Sequence, residues 1–554
     1  MAKKEKLKII PLGGLNEVGK NLTVLEYGNE ILIIDCGMTF PDEEMLGIDL
    51  VIPDFSYIVK NKNKVKGIVL THGHEDHIGA IPFLLKVVDA PIYGTNLTLG
   101  LVQNKLKEHG LLSTTKLVRK LPGDIFRISG FTVEFIRSNH SIADAVAIAV
   151  TTPVGTIVHT GDFKIDSTPI DGEMIDLTRL GQLGKKGVLA LFSDSTNAER
   201  PGFTMSERSV GIKLDDVFKN TKQRIIVATF ASNIHRVQQI ITAAHKTNRK
   251  VALSGRSMIN VLETAINLGY MKIPENILID IDDVKKYRPS QVVIITTGSQ
   301  GETMSALYRM AYSDHKKVEI VAGDLVVISA NPIPGNEKLV SNVVNELMKK
   351  GAQVIHDRSA EMHVSGHACQ EELKIMLALT KPKYFIPVHG EYSFLKTHAD
   401  LATYMGIDKK NVFIMENGKV LELSKDNARI SGTVQSGITL VDGLGVGDVG
   451  NIVLRDRKRL SEDGVIIVVV SISHENHKMI SQPEIISRGF VYVRESEDLM
   501  DKIRSVATDC MENLTNSKTY DWATIKVQLK NKISECLFVE TKRSPMIIPI
   551  IMDV

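Results

Sequence analysis

The sequence predicts an α/β protein of several domains. A layered sheet sandwich holds a parallel α/β block within it, and a small α+β unit follows at the C-terminal end. Three observations carry this expectation. A chain of 554 residues exceeds what one hydrophobic core serves, since domains run to about 100–200 residues. The N-terminal third bunches short apolar runs between turn signals, with few helical patterns. From about residue 206 onward strands and helices alternate instead.

In order along the chain, LKII (7–10), LTVLEYG (22–28), ILIIDCG (31–37), KGIVLTHG (66–73), FTVEFIRSNH (131–140), VAIAVTT (146–152) and GTIVHTGD (155–162) read as strands, being β-branched and bounded by Gly, Asn and Asp. Helical spacing is confined there to IGAIPFLLKVV (78–88) and LTLGLVQNKLKEHG (97–110), the second closed by Gly110. Strands gathered with few helices fit a sandwich. RIIVATFA (224–231), VQQIITAAHK (237–246), KVALSG (250–255), MINVLETAINLG (258–269) and QVVIITTG (291–298) then give a βαβαβ series. KVEIVAGDLVVISA (317–330) reads as further strand and EKLVSNVVNELMKKG (337–351) as a helix with a glycine stop. PKYFIPVHGE (382–391) and NVFIMENGKVLEL (411–423) return to the mixed pattern. The expected division is 1–206 and 366–440 for the two parts of the sandwich, 207–365 for the insert, 441–463 for a linker rich in glycine and charge, and 464–554 for the α+β unit.

Composition narrows the function. Lys plus Arg number 67 against 65 Asp plus Glu, a formal charge of +2, which excludes a chain coated in positive charge but not a local basic groove. Cys36, Cys369, Cys510 and Cys536 show no C-x-x-C spacing and are too few for a disulfide scaffold, so a reduced, cytoplasmic setting is expected. The longest plain apolar run, Val465 to Val470, falls far short of the roughly 20 residues a spanning helix needs. The basic start MAKKEKLKII lacks the apolar core of a signal peptide, and no membrane partner is expected.

Chemistry concentrates in Thr71-His-Gly-His-Glu-Asp-His-Ile-Gly79. His72 and His74, two apart on an extended segment, can face one ion, while Asp76 and His77 at a helix start can face a second. Neutral imidazole and carboxylate are ligands that Zn²⁺ accepts. His140, Asp162 and His389 each close an apolar strand, as Asp35 does, so side chains from neighbouring strand ends converge on one sheet edge. Gly14-Leu-Asn-Glu-Val-Gly-Lys20 nearly matches a P-loop. Asn21 replaces the hydroxyl that would ligate Mg²⁺, and Glu17 adds negative charge, so a nucleotide-triphosphate cradle is not expected.

H-x-H-x-D-H followed by a His, an Asp and a last His resembles the dinuclear hydrolases of the metallo-β-lactamase fold, an αββα sandwich. The gap of 227 residues from Asp162 to His389 is far longer than a simple hydrolase of that fold requires. An α/β insert there resembles the β-CASP nucleases, whose further motifs match Asp194 in LFSDSTN, His363 and His367 in HVSGHA, and His389 in PVHGEY. With PLGGLNEVGKN, TFASNIHR (229–236), TTGSQGE (296–302) and the C-terminal unit, the whole chain resembles bacterial ribonuclease J of the catalytically competent type.

That resemblance implies a zinc-dependent ribonuclease acting 5′-to-3′ and also internally, in mRNA turnover and rRNA maturation. His72, His74 and His140 would hold one Zn²⁺ and Asp76, His77 and His389 the other, with Asp162 bridging; Mn²⁺ or Mg²⁺ could stand in their place. Hydroxide activated by the two ions would attack phosphorus and leave a 5′-phosphate and a 3′-OH. Asp76, Asp194 and His367 are the catalytic set, His367 polarised by Asp194 serving as the acid, and Asp35 orients a ligand histidine. Ser232, Asn233, His363, Val364, Ser365, Gly366 and His367 would receive RNA, preferring a 5′-monophosphate. Gly47, Asp49 and Asp442 resemble a structural Ca²⁺ site. A homodimer or homotetramer, a paralogous subunit and other RNA-decay proteins are the implied partners. A DNA-directed β-CASP nuclease and a small-molecule metallohydrolase remain as alternatives.

Overall fold

The computed structural model describes residues 6–554 except 303, 334–335, 357–361, 476–477, 492–495 and 517–520. The expectation drawn from the basic N-terminus thus lies partly outside the described residues. The chain divides into two compact units, Met1–Thr39 with Ile52–Ile438, and Phe40–Val51 with Thr439–Val554.

In the larger unit two sheets face each other. The first runs, in spatial order, Ala428–Thr433, Lys419–Leu423, Leu7–Gly13, Leu22–Tyr27, Glu30–Ile34, Val65–Val69, Ile92–Gly94 and Leu117–Arg119. The second runs Tyr384–Val388, Val188–Asp194, Gly155–His159, Val146–Thr152, Phe131–Arg137 and Ile125–Ile128. Strand alternation sends Ile9, Leu25, Leu32, Ile34 and Val69 of the first sheet against Val133, Phe135, Ile148, Ile157, Phe192 and Ile386 of the second.

The outer face of the second sheet is covered by helices Leu177–Lys186, Gln370–Thr380 and Tyr392–Tyr404 through Leu180, Leu183, Leu373, Met376 and Ala402. On the first sheet Ile10, Val24, Ile33 and Ile68 are fully buried on the opposite face, and helix Asn96–Glu108 packs on its edge strands. The result is a four-layer αββα sandwich.

Between helix Glu207–Asn220 and strand Gln353–Ile355 lies a six-stranded sheet, ordered Leu278–Ile279, Lys250–Ser254, Val292–Thr296, Ile225–Ala228, Leu325–Ile328 and Gln353–Ile355. All its pairings are parallel, and its central strands Val292–Thr296, Ile225–Ala228 and Leu325–Ile328 are buried on both faces and read as plain apolar runs. The long strand expected over 317–330 is confined to Leu325–Ile328, because Gly323 turns the chain at φ +90° just before it.

The smaller unit has the three-stranded sheet Glu484–Arg488, Val465–Ile472, Met546–Asp553 with helices Glu497–Asn516 and Trp522–Thr541 on one face. One expectation is corrected here. Residues 451–463, read as linker, form a helix, Asn451–Asp463. Its apolar content is too sparse to signal a helix, but Leu454 packs against the small cluster of Ile48, Val51 and Leu440. Arg457 donates to the Leu46 carbonyl and Arg459 to that of Ser544, so polar side chains fix it. Among the described residues no helix is long and apolar enough to cross a membrane.

Candidate metal centre

The strands ending at Arg137, His159, Asp194 and Val388 run in one direction in the second sheet, and those ending at Ile34 and Val69 lie side by side in the first. The residues just beyond these ends therefore meet at one edge of the sandwich. His72 Nε2 and His140 Nε2 lie 3.1 and 3.0 Å from His74 Nδ1, and Asp162 Oδ2 stands 3.7 Å from both of the former. A tetrahedral ion with ligands at about 2.0–2.1 Å has ligand–ligand edges of about 3.3 Å, so the four atoms are spaced as one such ion requires. Burial drives all three rings to the neutral, ligating form, His74 down to about 4.

A second set shares Asp162. His77 Nε2 lies 3.3 Å from Asp162 Oδ1 and 3.5 Å from Asp76 Oδ2, and His389 Nε2 lies 3.3 Å from Asp76 Oδ2. His389 Nε2 is buried without a hydrogen-bond partner, and its lone pair, once the nitrogen is free of a proton, is one that a cation among these groups would take up. Burial opposes charge on His389, yet Asp162 outweighs it, raising the ring to about 10. Two divalent ions fit this donor set, with Asp162 common to both.

Asp35 sits beneath the centre at φ +60° and accepts from Thr71 N at 2.8 Å, Thr71 Oγ1 at 2.7 Å and His77 Nδ1 at 2.7 Å. A carboxylate on Nδ1 leaves Nε2 of His77 to face the site. Because Thr71 Oγ1 donates to Asp35, it accepts from His72 Nδ1 at 3.0 Å, which turns that Nε2 inward as well. Thr71 and Asn21 escape a sequence reading. Asn21 Nδ2 reaches the Asp76 carbonyl at 3.2 Å and His77 Nε2 at 3.1 Å. The only signal for them is position: one precedes the cluster and the other ends the glycine-rich loop at 13–21. In that loop Lys20 pairs with Glu17 at 2.8 Å.

His367 borders the centre, with its Nδ1 2.8 Å from Asp194 Oδ2 and 3.9 Å from Asp162 Oδ2. Burial works against a charged ring, but the charge and hydrogen bond of Asp194 prevail and hold its pKa above the ordinary value. Asp194 is itself fixed by Thr196 N at 2.9 Å and Thr196 Oγ1 at 2.7 Å. In the adjoining loop Ser365 Oγ accepts from Asn197 Nδ2 at 2.8 Å, Val364 is buried, and His363 Nδ1 is shielded without a partner. Burial and the nearby Arg236 push His363 down to about 3.

Other expected residues stand apart. The Asn233 side chain caps helix Ile234–Lys246 by accepting from Arg236 N at 3.0 Å, and no hydrogen bond among the described residues joins Ser232 or Asn233 to the 363–367 loop. Gly47, Asp49 and Asp442, where a Ca²⁺ site is expected, lie together in the smaller unit. Arg457 pairs with Asp442, Asp49 accepts from Gly443 N at 2.7 Å, and a Cβ at Gly47 would meet the same guanidinium at 2.8 Å.

Four family descriptions match the chain: the metallo-beta-lactamase superfamily over residues 15–180, the Ribonuclease J beta-CASP domain over 222–347, a Zn-dependent metallo-hydrolase RNA specificity domain over 355–415, and the Ribonuclease J C-terminal domain over 452–554. The chain is 46% identical over 550 residues to Ribonuclease J2 of Bacillus subtilis, covering 99% of each. It is also 46% identical to Ribonuclease J 1 of Streptococcus pyogenes, over 99% of this chain and 98% of that one. Against Ribonuclease J of Synechocystis the identity is 44%, over 98% and 86%. A solved structure of a protein of unknown function from Enterococcus faecalis shares the fold at TM-score 0.53 and 16% identity, covering 76% of this chain and 100% of that one.

Proposed function

The chain belongs to the ribonuclease J family, a metallo-hydrolase ribonuclease, and on that premise we propose that it degrades RNA from the 5′ end and also cuts internally. The observation that carries this reading is the convergence of His72, His74 and His140 on one point, with Asp162 shared by a second set and the His367–Asp194 pair alongside. His72, His74, His140 and Asp162 would hold one ion, and Asp76, His77, His389 and Asp162 the other, Zn²⁺ being the ion their chemistry favours. Two such ions, when bound, lower the pKa of water toward neutrality and offset charge on a phosphodiester.

The protein's own groups do the rest. Asp194 keeps His367 protonated through Nδ1, so Nε2 can deliver a proton to the departing 3′ oxygen. Loss of that bond on the far side of phosphorus leaves a 5′-phosphate and a 3′-OH. Ser365, His363 and the main chain of 363–367 would receive the RNA's 5′-monophosphate, with roles in mRNA turnover and rRNA maturation following from end-dependent decay. In this reading 1–206 with 366–440 form the catalytic domain and 207–365 is its β-CASP insert.

Self-association is assigned to the smaller unit. Ile548, Ile550 and Met552 are 40, 41 and 49% exposed on the sheet face away from its helices, where Ile548 and Ile550 pair in register with Ile467 and Val469. A continuous apolar sheet face of this kind suits a homodimer or tetramer contact.

The test is purified protein on 3′-tailed RNA carrying a 5′-monophosphate or triphosphate, beside the His74→Ala and His367→Ala variants. Release of mononucleotides from the monophosphate substrate, lost in both variants, is expected. Undiminished activity in His74→Ala overturns the reading.

A further inference from the structure

Beyond the candidate ligands themselves, one backbone position ties the 363–367 loop to the metal centre. His140 Nδ1 lies 2.7 Å from the carbonyl oxygen of Gly366. A carbonyl can only accept, so Nδ1 carries the proton and Nε2 presents its lone pair to His74 and Asp162. Gly366 is buried, and a Cβ there would stand 2.6 Å from His140 Cε1, 2.7 Å from His140 Nδ1 and 2.9 Å from Ser141 Oγ. The ring's place thus depends both on the carbonyl of this residue and on its lack of a side chain.

The carbonyl is itself held rigidly. On its N-terminal side the Met362 carbonyl accepts from Arg236 Nη1 at 3.0 Å and Ser329 Oγ at 2.6 Å. On its C-terminal side the His367 carbonyl accepts from Asn197 Nδ2 at 2.9 Å and Thr204 Oγ1 at 2.6 Å. Asn197 Nδ2 also reaches Ser365 Oγ at 2.8 Å, so one amide clamps both neighbours of Gly366.

We propose that Gly366 is a positioning residue of the His72, His74 and His140 set, fixing the tautomer and orientation of His140 from within the loop assigned to RNA. This rests on the metal-centre reading above. It also means that the same few backbone atoms serve the acid His367 and the retention of an ion, so displacement of the loop loosens both.

The full-length protein, stripped with chelator, is dialysed against graded Zn²⁺ and its metal content measured. The unaltered protein is expected to take two ions. Gly366→Ala is expected to keep one at unaltered affinity and to bind the other about 10–100-fold more weakly, as loss of a ligand's hydrogen-bond partner does. Asn197→Ala, which leaves the glycine in place, is expected to weaken the same ion by a smaller factor. Its circular dichroism is compared with that of the unaltered protein to show that the fold is kept. Two ions at unaltered affinity in both variants overturn the inference and leave the metal centre standing. Absence of bound ions in the unaltered protein removes the metal centre itself.

Discussion

At the scale of residues, the centre depends on which nitrogen of each histidine is protonated. Asp35 settles it for His77 and Thr71 for His72, and both are buried where the choice cannot be reversed by water. His367 is different, since its proton is what the proposed reaction uses. Its pKa is raised, so it stays protonated above the ordinary histidine value, and the rate falls only as pH climbs through the raised one. Asp194→Asn removes the main raising influence while burial remains. The alkaline limb of the kcat profile is then expected to move down by about one pH unit or more. An unmoved limb would show that another group supplies the proton. Gly37 offers a second test, because a Cβ there would overlap the Asp76 carbonyl. Gly37→Ala must push the 72–77 segment away, and metal analysis is expected to show a weakened site.

At the scale of elements, buried polar groups tie the insert's own segments to one another. Arg236, fully buried at the start of helix Ile234–Lys246, pairs with Glu207 at the start of helix Glu207–Asn220 and donates to Ser329 and Met362. Removing one member leaves the other charge buried and unpaired. Arg236→Met is expected to destabilise the chain by about 3–5 kcal/mol, read from urea denaturation, with Arg236→Met/Glu207→Leu recovering most of that loss. Glu372 does similar work at the start of helix Gln370–Thr380. Its carboxylate accepts from Ile165 N at 2.7 Å, Thr204 N at 2.6 Å and Cys369 N at 2.8 Å, joining three segments around His367.

At the scale of the whole molecule, the smaller unit is the part whose apolar surface is least covered by its own chain. If the face bearing Ile548 and Ile550 joins subunits, Ile548→Lys with Ile550→Lys is expected to lower the molecular mass seen by light scattering to that of a monomer. An unchanged mass would place the contact elsewhere. Phe40–Val51, far away in sequence, clusters with this unit, and only the expected grouping of Gly47 and Asp49 with Asp442 hinted at it, because its few apolar residues are too short a run to reveal where they pack.

By itself the sequence determined the sandwich, the parallel insert and the candidate ligand set, because periodicity reports burial and strand-end polar residues report the edge they share. His72 to His77 were legible as a cluster, and His140, Asp162 and His389 as strand closers. What only the tertiary structure decided were Asn21, Thr71 and Glu372 and the contact of Gly366 with His140, all hydrogen bonds to partners distant in the chain, and the helix Asn451–Asp463, held by arginines. The pairing of Arg457 with Asp442 belongs to the same class, since an acidic pattern does not show which cation of its own chain lies beside it. Local pattern records what a side chain is, whereas a hydrogen bond across the fold depends on where two backbones meet.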